Sequence, residues 1–495
     1  MKAAEYAKMD GVALAQGIGN GDYSGAEVVE ACIDVIEILN PDLNAVVMKN
    51  FENARSLTEP YVGVPEKSRA EVFSKARPGN ALRGVPFLLK DVNVFTHDMP
   101  TTFSCAFFRD ALPAKDSEIV KRWRESGLII MGKTNTPEFA EDFVCEPTFR
   151  GPTLNPWNDA VTVGGSSGGA GAAVASGMVP IAHGTDLGGS IRIPAACCGV
   201  FGLKPTSGLS PVDHGQSELA SGFNSDHVLT RSVRDSAAAL DATSRPILGY
   251  RYPVMKKVPS YLHCLNQPPQ PMKIGVCFNT PMGEPVPAKQ RMAVEKVSNI
   301  LSDHGHELVS YDYPSDLEFG NWLDSLWMFD VVNELEKRIR EVGRQPEPSE
   351  LEAMTSYIRQ RVSAMSAMDH YRARESAHRS SVKIMNSMSY VDLVLTPALG
   401  SDPVALGVFD SRTEAFDYRT WADQGAAFAP FSYVCNITGQ PAASLPVQLE
   451  TNQQPCAVQL AGHQGQDHLI LQVSALLEEV LGWKDMHPPI WAGNL

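Results

Sequence analysis

Two glycine-serine blocks constrain this chain more than any other feature. The first reads VGGSSGGAGAAVASG over 163–177; the second, HGTDLGGS, occupies 183–190. Residues without a Cβ let backbone segments approach closely and let N–H groups converge on one point. Upstream, the apolar run GVPFLLKD (84–91) carries a single lysine, Lys90. Lys90, Ser166 and Ser190 together are what a serine nucleophile needs if lysine rather than histidine is its base.

The chain has 495 residues, 43% apolar and 20% charged, ordinary for a soluble globular protein. Its net charge of −15 argues against nucleic acid as a main partner. The first ten residues, MKAAEYAKMD, lack the apolar core of a signal peptide. Nine cysteines without CxxC pairs are expected to be reduced thiols in a cytoplasmic protein, and Cys197-Cys198 to be core filler. The smoothest apolar stretch, Ala170 to Ala182, is Gly/Ala-rich and predicts a close-packed core helix, not a membrane span. No His/Cys spacing predicts a zinc site, and no cofactor is expected.

Ser24-Gly-Ala-Glu27 is a capping-box pattern ahead of apolar positions Val28, Val29, Cys32, Ile33 and Ile36, so a helix starts there, and Asn40-Pro41 is expected to stop it. A short strand is predicted over 44–48. From Arg83 onward apolar strands (85–90, 128–131) alternate with helical patterns (116–126), the signature of an α/β layer structure with helices on both faces of a sheet. Residues 245–271 are rich in proline and tyrosine and predict a long surface connection. Strand and helix signals resume at 273–278, 289–302 and 306–311, with a further strand at 391–395 and a closing helix at 467–480. A helix over 316–342 carries Phe319, Trp322 and Trp327, which either pack in the core or wall a pocket. The alternation after the connector predicts one large domain: a helical region over 1–60, the chemistry-bearing motifs over 83–210, and a peripheral helical region over 316–390.

Glycine-rich turns before a helix often hold phosphate, but Gly164 to Gly169 is followed by Ala170 rather than by Lys-Ser/Thr, and no GxGxxG frame fits. A second alternative is a nucleophile elbow, since Gly165 to Gly169 satisfies GxSxG with Ser167 as nucleophile. That would make the chain an α/β-hydrolase-type esterase, and it leaves Lys90 and the second serine turn unused. The lysine reading uses all three features. Burial favours the neutral amine, and Lys90 ends an apolar strand. Ser190 follows Asp186-Leu-Gly-Gly, a turn suited to holding an oxyanion. Asp186 and Arg192 are expected to pair and brace that loop.

The chain resembles the amidase signature family. The carriers are GVPFLLKD (84–91), GKTNTPEFA (132–140), NPWN (155–158), the 163–177 block, DLGGSIRIPAACCGVFGLKPT (186–206), Val391 to Pro397 and Asn436 to Ala442. Ala170 departs from the serine that many members carry. The resemblance implies a mixed sheet wrapped by helices, and a triad of Ser190 as nucleophile, Ser166 as cis-serine after a cis Gly165–Ser166 peptide, and Lys90 as base. It places the oxyanion donors on the backbones of Leu187, Gly188, Gly189 and Ser190, with Ser167 supporting the relay. Within the family the chain looks most like the branch with nylon-oligomer (cyclic-dimer) hydrolases, aryl acylamidases and urethanases.

The expectation is therefore a hydrolase of carboxamides, extending to carbamates and esters, working as a monomer or homodimer on a small molecule. An amidotransferase subunit is the competing class. Phe139 and Phe143, with residues 136–150, 316–330 and 400–433, are expected to wall the substrate pocket, and their aromatics point to an apolar or aryl substrate.

Overall fold

The computed structural model describes residues 1–58, 80–211, 218–246, 257–318, 322–450 and 453–495. Eleven strands form one mixed sheet. In chain order they are β1 (Val46–Lys49), β2 (Pro86–Lys90), β3 (Ile129–Thr134), β4 (Ile181–Asp186), β5 (Phe201–Lys204), β6 (Ser225–Thr230), β7 (Lys273–Val276), β8 (Glu307–Ser310), β9 (Leu393–Pro397), β10 (Ala442–Val447) and β11 (Cys456–Gly462). Across the sheet the order is β1-β3-β2-β4-β6-β5-β10-β11-β9-β7-β8. Strands from both sides of the 245–271 connector therefore share one hydrogen-bonded surface. Residues 247–256 of that connector lie outside the described residues.

Parallel pairing positions the chemistry. β2 runs parallel to both β3 and β4, with Phe87 opposite Ile181 and Leu88 opposite Ala182. Parallel neighbours end at the same edge of a sheet. Lys90, the last residue of β2, is thereby brought beside Thr185 at the end of β4. All residues of β2, β3 and β4 are buried, which explains the near-continuous apolar runs of β2 and β3.

Helices cover the sheet. The helix Gly25–Leu43 starts at the capping box: Glu27 N–H donates to Ser24 Oγ at 3.1 Å and Ser24 N–H to the Glu27 carboxylate at 2.8 Å. It buries Val28, Val29, Cys32, Ile33, Val35, Ile36 and Leu39 in a cluster shared with β2 to β4. A second cluster joins Ile274, Leu393, Leu395, Leu445 and Val458 to the helices Ala288–Asp303 and Asp467–Leu481. Among the described residues no helix is long and apolar enough to cross a membrane.

Two expectations are corrected, and two strands had no counterpart in the sequence reading. The first helix runs through Pro41 to Leu43. Proline that late removes one backbone donor only, and the helix ends instead at Asn44, whose left-handed conformation returns its N–H to Asn40 O. The segment 170–182 is not one helix. The helix Gly168–Ala175 stops before Gly177 (φ +82°), and β4 begins at Ile181. Finally, β4 (IAHGTD) and β6 (SDHVLT) escape an apolar-pattern search because their polar side chains are buried in contact with each other. His183 Nε2 meets Asp226 Oδ1 at 3.1 Å.

The glycines of the first block serve close packing. A Cβ on Gly169 would lie 2.5 Å from Asn135 N and 2.7 Å from Ala45 O, both backbone atoms. Alanine there gains up to ~1 kcal/mol of helix propensity, but the overlap with unyielding backbone costs ~1–3 kcal/mol. Overlap wins, so Gly169→Ala is expected to lower the urea midpoint. A raised midpoint would show that Asn135 and Ala45 yield to the methyl group.

Candidate active site

Lys90 is fully buried. Its Nζ lies 2.7 Å from Ser166 Oγ and 2.8 Å from Thr185 Oγ1, so its partners are hydroxyls, and among the described residues no carboxylate pairs with it. Burial lowers its pKa from the lysine value of 10.5 to about 7; the more distant charges of Cys145, Asp226, Asp186 and Glu141 only oppose that. The amine is poised to exist neutral near physiological pH. Its backbone is held as well. Lys90 N–H donates to His183 Nδ1 at 3.3 Å, and the opposite ring nitrogen faces Asp226. Burial keeps His183 below its ordinary range.

The Gly165–Ser166 peptide is cis. Gly165 and Gly168 lie against the 142–145 backbone and Cys145, too close for a Cβ at either position. Ser167 behaves differently from Ser166. It is fully buried, its Oγ accepts from Thr185 N–H at 3.3 Å and reaches Thr185 O at 3.4 Å, and its N–H donates to Ser190 O at 3.1 Å. It fastens the turn to β4 and to the second serine block. It does not line the cavity described below, so the nucleophile-elbow arrangement is not formed at Ser167.

The second block is organised by Asp186. Its carboxylate accepts from Gly189 N–H (3.0 Å), Ile191 N–H (3.2 Å), Arg192 Nε (2.9 Å) and Nη2 (2.7 Å), and Asn436 Nδ2 (2.9 Å). Arg192 also donates to Gln459 Oε1 and Asn436 Oδ1, each at 2.7 Å. The adjacent guanidinium outweighs burial and holds Asp186 down at about 2. One expected oxyanion donor is thereby withdrawn. The Gly189 N–H points at Asp186, which leaves the N–H groups of Leu187, Gly188 and Ser190. Gly189 needs to be glycine, because its φ is +124° and a Cβ would lie 2.5 Å from Ser432. Ser432 Oγ in turn donates to Gly188 O at 2.5 Å.

Ser166, Thr185, Leu187 and Ser190 line one cavity. Phe139 is on its wall, stacked on Phe103 at 5.1 Å. Phe143 is not; it packs against Trp421 (5.1 Å) and Phe409 (5.5 Å), in space left by the missing Cβ of Gly425. Trp327 lines the cavity from the helix Trp322–Val342, while Phe319 and the side chain of Trp322 lie outside the described residues. The segment 400–433 supplies none of the lining residues; residues 219–224 do so instead.

Thr185, Asn224, Asn436 and Gln459 are site residues that the sequence reading missed. Thr185 adjoins a motif and could have been found there. Gln459 sits mid-strand, 267 residues from the arginine it holds, with no local signal.

The family described as Amidase matches residues 27–471. The 6-aminohexanoate-cyclic-dimer hydrolase of Paenarthrobacter ureafaciens is 31% identical over 498 residues, covering 97% of this chain and 96% of that protein. A solved structure of 6-aminohexanoate cyclic dimer hydrolase superposes with a TM-score of 0.89 at 29% identity, covering 98% and 99% of the two chains. A bacterial aryl acylamidase of the amidase signature family superposes with a TM-score of 0.82 at 25% identity, covering 96% of each chain.

Removing one partner of a buried ion pair strands the other charge at a cost of ~3–5 kcal/mol. Arg192→Met is expected to lower the unfolding free energy in urea by about that amount, and Asp186→Asn added to it to recover part of the loss. A loss below ~1 kcal/mol, the range of exposed pairs, would contradict the bracing role.

Proposed function

The chain belongs to the amidase signature family and is a hydrolase of non-peptide carbon–nitrogen bonds, and on that premise we propose that Ser190 is its nucleophile, activated by Lys90 through Ser166. The observation that carries the proposal is the 2.7 Å contact between the buried Lys90 amine and Ser166 Oγ, on the cavity that Ser190 shares.

A serine hydroxyl attacks a carbonyl only as its proton leaves. Neutral Lys90 takes the proton of Ser166, and Ser166 takes that of Ser190. Ser190 Oγ bonds the carbonyl carbon, and the carbonyl electron pair moves onto oxygen. The N–H groups of Leu187, Gly188 and Ser190 receive that oxyanion, in a turn that Asp186 and Arg192 hold in place. Collapse expels the amine, which takes a proton back along Ser166 from Lys90. Water then repeats the sequence on the acyl-enzyme and frees the acid. Every proton is carried by the chain's own groups.

The substrates are carboxamides, and the same carbonyl chemistry extends to carbamates and esters. The resemblance to the cyclic-dimer hydrolase and the aryl acylamidase supports a substrate with an alkyl or aryl body, which Phe139, Phe103 and Trp327 can contact.

Ser190→Ala is expected to lower kcat by ~10⁴-fold or more on a simple anilide, with an unchanged melting temperature. Near-wild-type turnover would refute the assignment. Lys90→Arg should be nearly as damaging, because guanidinium does not deprotonate in this range.

The neutral amine is the working form, so its fraction grows as pH rises through a pKa of about 7. The expected kcat/KM profile has an acid limb near that pH, falling about tenfold for each unit below it. A limb centred near 10.5, where an unburied lysine titrates, would place the base elsewhere.

A further inference from the structure

The cavity that holds Ser166 and Ser190 is two-sided. Phe103, Phe139, Leu187 and Trp327 give it an apolar side. Glu141, Asp330, Glu334 and Asn224 line it too, and none of its lining residues is Lys, Arg or His. An aryl pocket has no use for that many acceptors.

Asn224 carries the argument furthest. It is only 8% exposed, and its Nδ2 donates to Asp226 Oδ2 at 3.0 Å. A carboxylate can only accept, so the amide nitrogen must face Asp226 and the amide oxygen must be the other, free end. Among the described residues no donor is bonded to that oxygen, and Asn224 is on the cavity wall. An amide oxygen can only accept, so a donor on a ligand in the cavity would give it a partner.

The neighbouring carboxylates point the same way. The Glu141 carboxyl has neither hydrogen-bond nor ion-pair partner among the described residues; only its backbone N–H is bonded, to Glu138 O at 3.1 Å. Asp330 accepts one backbone N–H, from Ala220 at 2.5 Å. Burial and then the charge of Asp330 push the Glu141 carboxyl well above its usual range. Burial and then Glu334 outweigh the Ala220 bond and raise Asp330 to about 6. Glu334 itself is paired with Lys337 on its own helix at 2.6 Å. Among the described residues neither Glu141 nor Asp330 is held in an ion pair, and a cation brought into the cavity would favour the charged form of both.

We propose that this cavity selects substrates bearing a primary ammonium group, received by Glu141, Asp330 and the amide oxygen of Asn224, with the aliphatic body lying along the apolar side. An ammonium offers three N–H donors and no acceptor, which matches three acceptors and would be wasted on a neutral aryl ring. The inference rests on the amidase reading only in taking this cavity as the substrate site. It narrows the substrate class to amides with an amino-alkyl arm.

The test reads binding without turnover, by calorimetry near neutral pH on the full-length protein. Its probes are hexylammonium chloride and hexanol, equal in chain length and different in charge. Hexylammonium is expected to bind about tenfold more tightly than hexanol. Glu141→Gln and Asp330→Asn should each weaken it by about threefold or more, with hexanol changing less. Should one variant fail to fold, the other carries the comparison, and the wild-type contrast decides by itself. Equal affinity for the two probes, no detectable binding of hexylammonium, or a preference that survives both substitutions would overturn the inference. Selective ammonium binding in a protein that cleaves no amide would contradict the catalytic proposal alone. Hydrolysis of anilides without an ammonium preference would contradict this one alone.

Discussion

A lysine amine sealed from water against two hydroxyls is the interaction on which the rest of the site depends. The chain contains a control for it one strand away. Lys133 on β3 is equally buried, yet it meets the carboxylate of Asp91 at 3.4 Å and Thr101 Oγ1 at 2.7 Å. Burial lowers both amines, but at Lys133 the first opposing influence is that adjacent carboxylate. Among the described residues Lys90 has no such partner, and the hydroxyls beside it can accept a hydrogen bond from the amine or donate one to it. The same burial in the same sheet therefore yields an ion-paired lysine at one position and, at the other, the amine proposed as the base. The parallel pairing of β2 with β3 and β4 places both.

The glycine blocks make that arrangement geometrically possible. Gly165 and Gly169 bring the first turn against the backbone of 142–144, Asn135 and Ala45, and Gly168 brings it against the Cys145 side chain. Gly189 admits Ser432 and turns its own N–H onto Asp186. Asp186 then spends its carboxylate on ordering the turn, and Arg192 spreads that order to Asn436 and Gln459 on distant segments. The brace and the proposed nucleophile belong to one loop, so a weakened brace is expected to move Ser190.

Much of this was legible in the sequence wherever the chemistry is written into a contiguous motif. Lys90, Ser166, Ser190, Asp186 and Arg192 all lie in such runs, and the alternation of apolar strands with helical patterns gives the α/β class. What stayed hidden depends on distant partners. β4 and β6 read as polar segments because His183 and Asp226 satisfy each other across the sheet. The Gly189 N–H looks free until the Asp186 side chain folds back on it. Phe143 looks like a pocket aromatic beside Phe139, but the room made by Gly425 draws its ring into a separate cluster. The acidic side of the cavity comes from Glu141, Asn224 and the helix Trp322–Val342, and no local pattern announces that these segments converge.

The central claim is that Lys90 is a neutral amine in the resting protein. Direct titration of lysine side chains by NMR tests it, using protein labelled with ¹³C at lysine Cε and the Lys90→Arg variant to assign the signal. The account predicts one resonance, absent from that variant, with a midpoint of about 7. A Lys90 signal that keeps its charge until pH approaches 10.5 would contradict it.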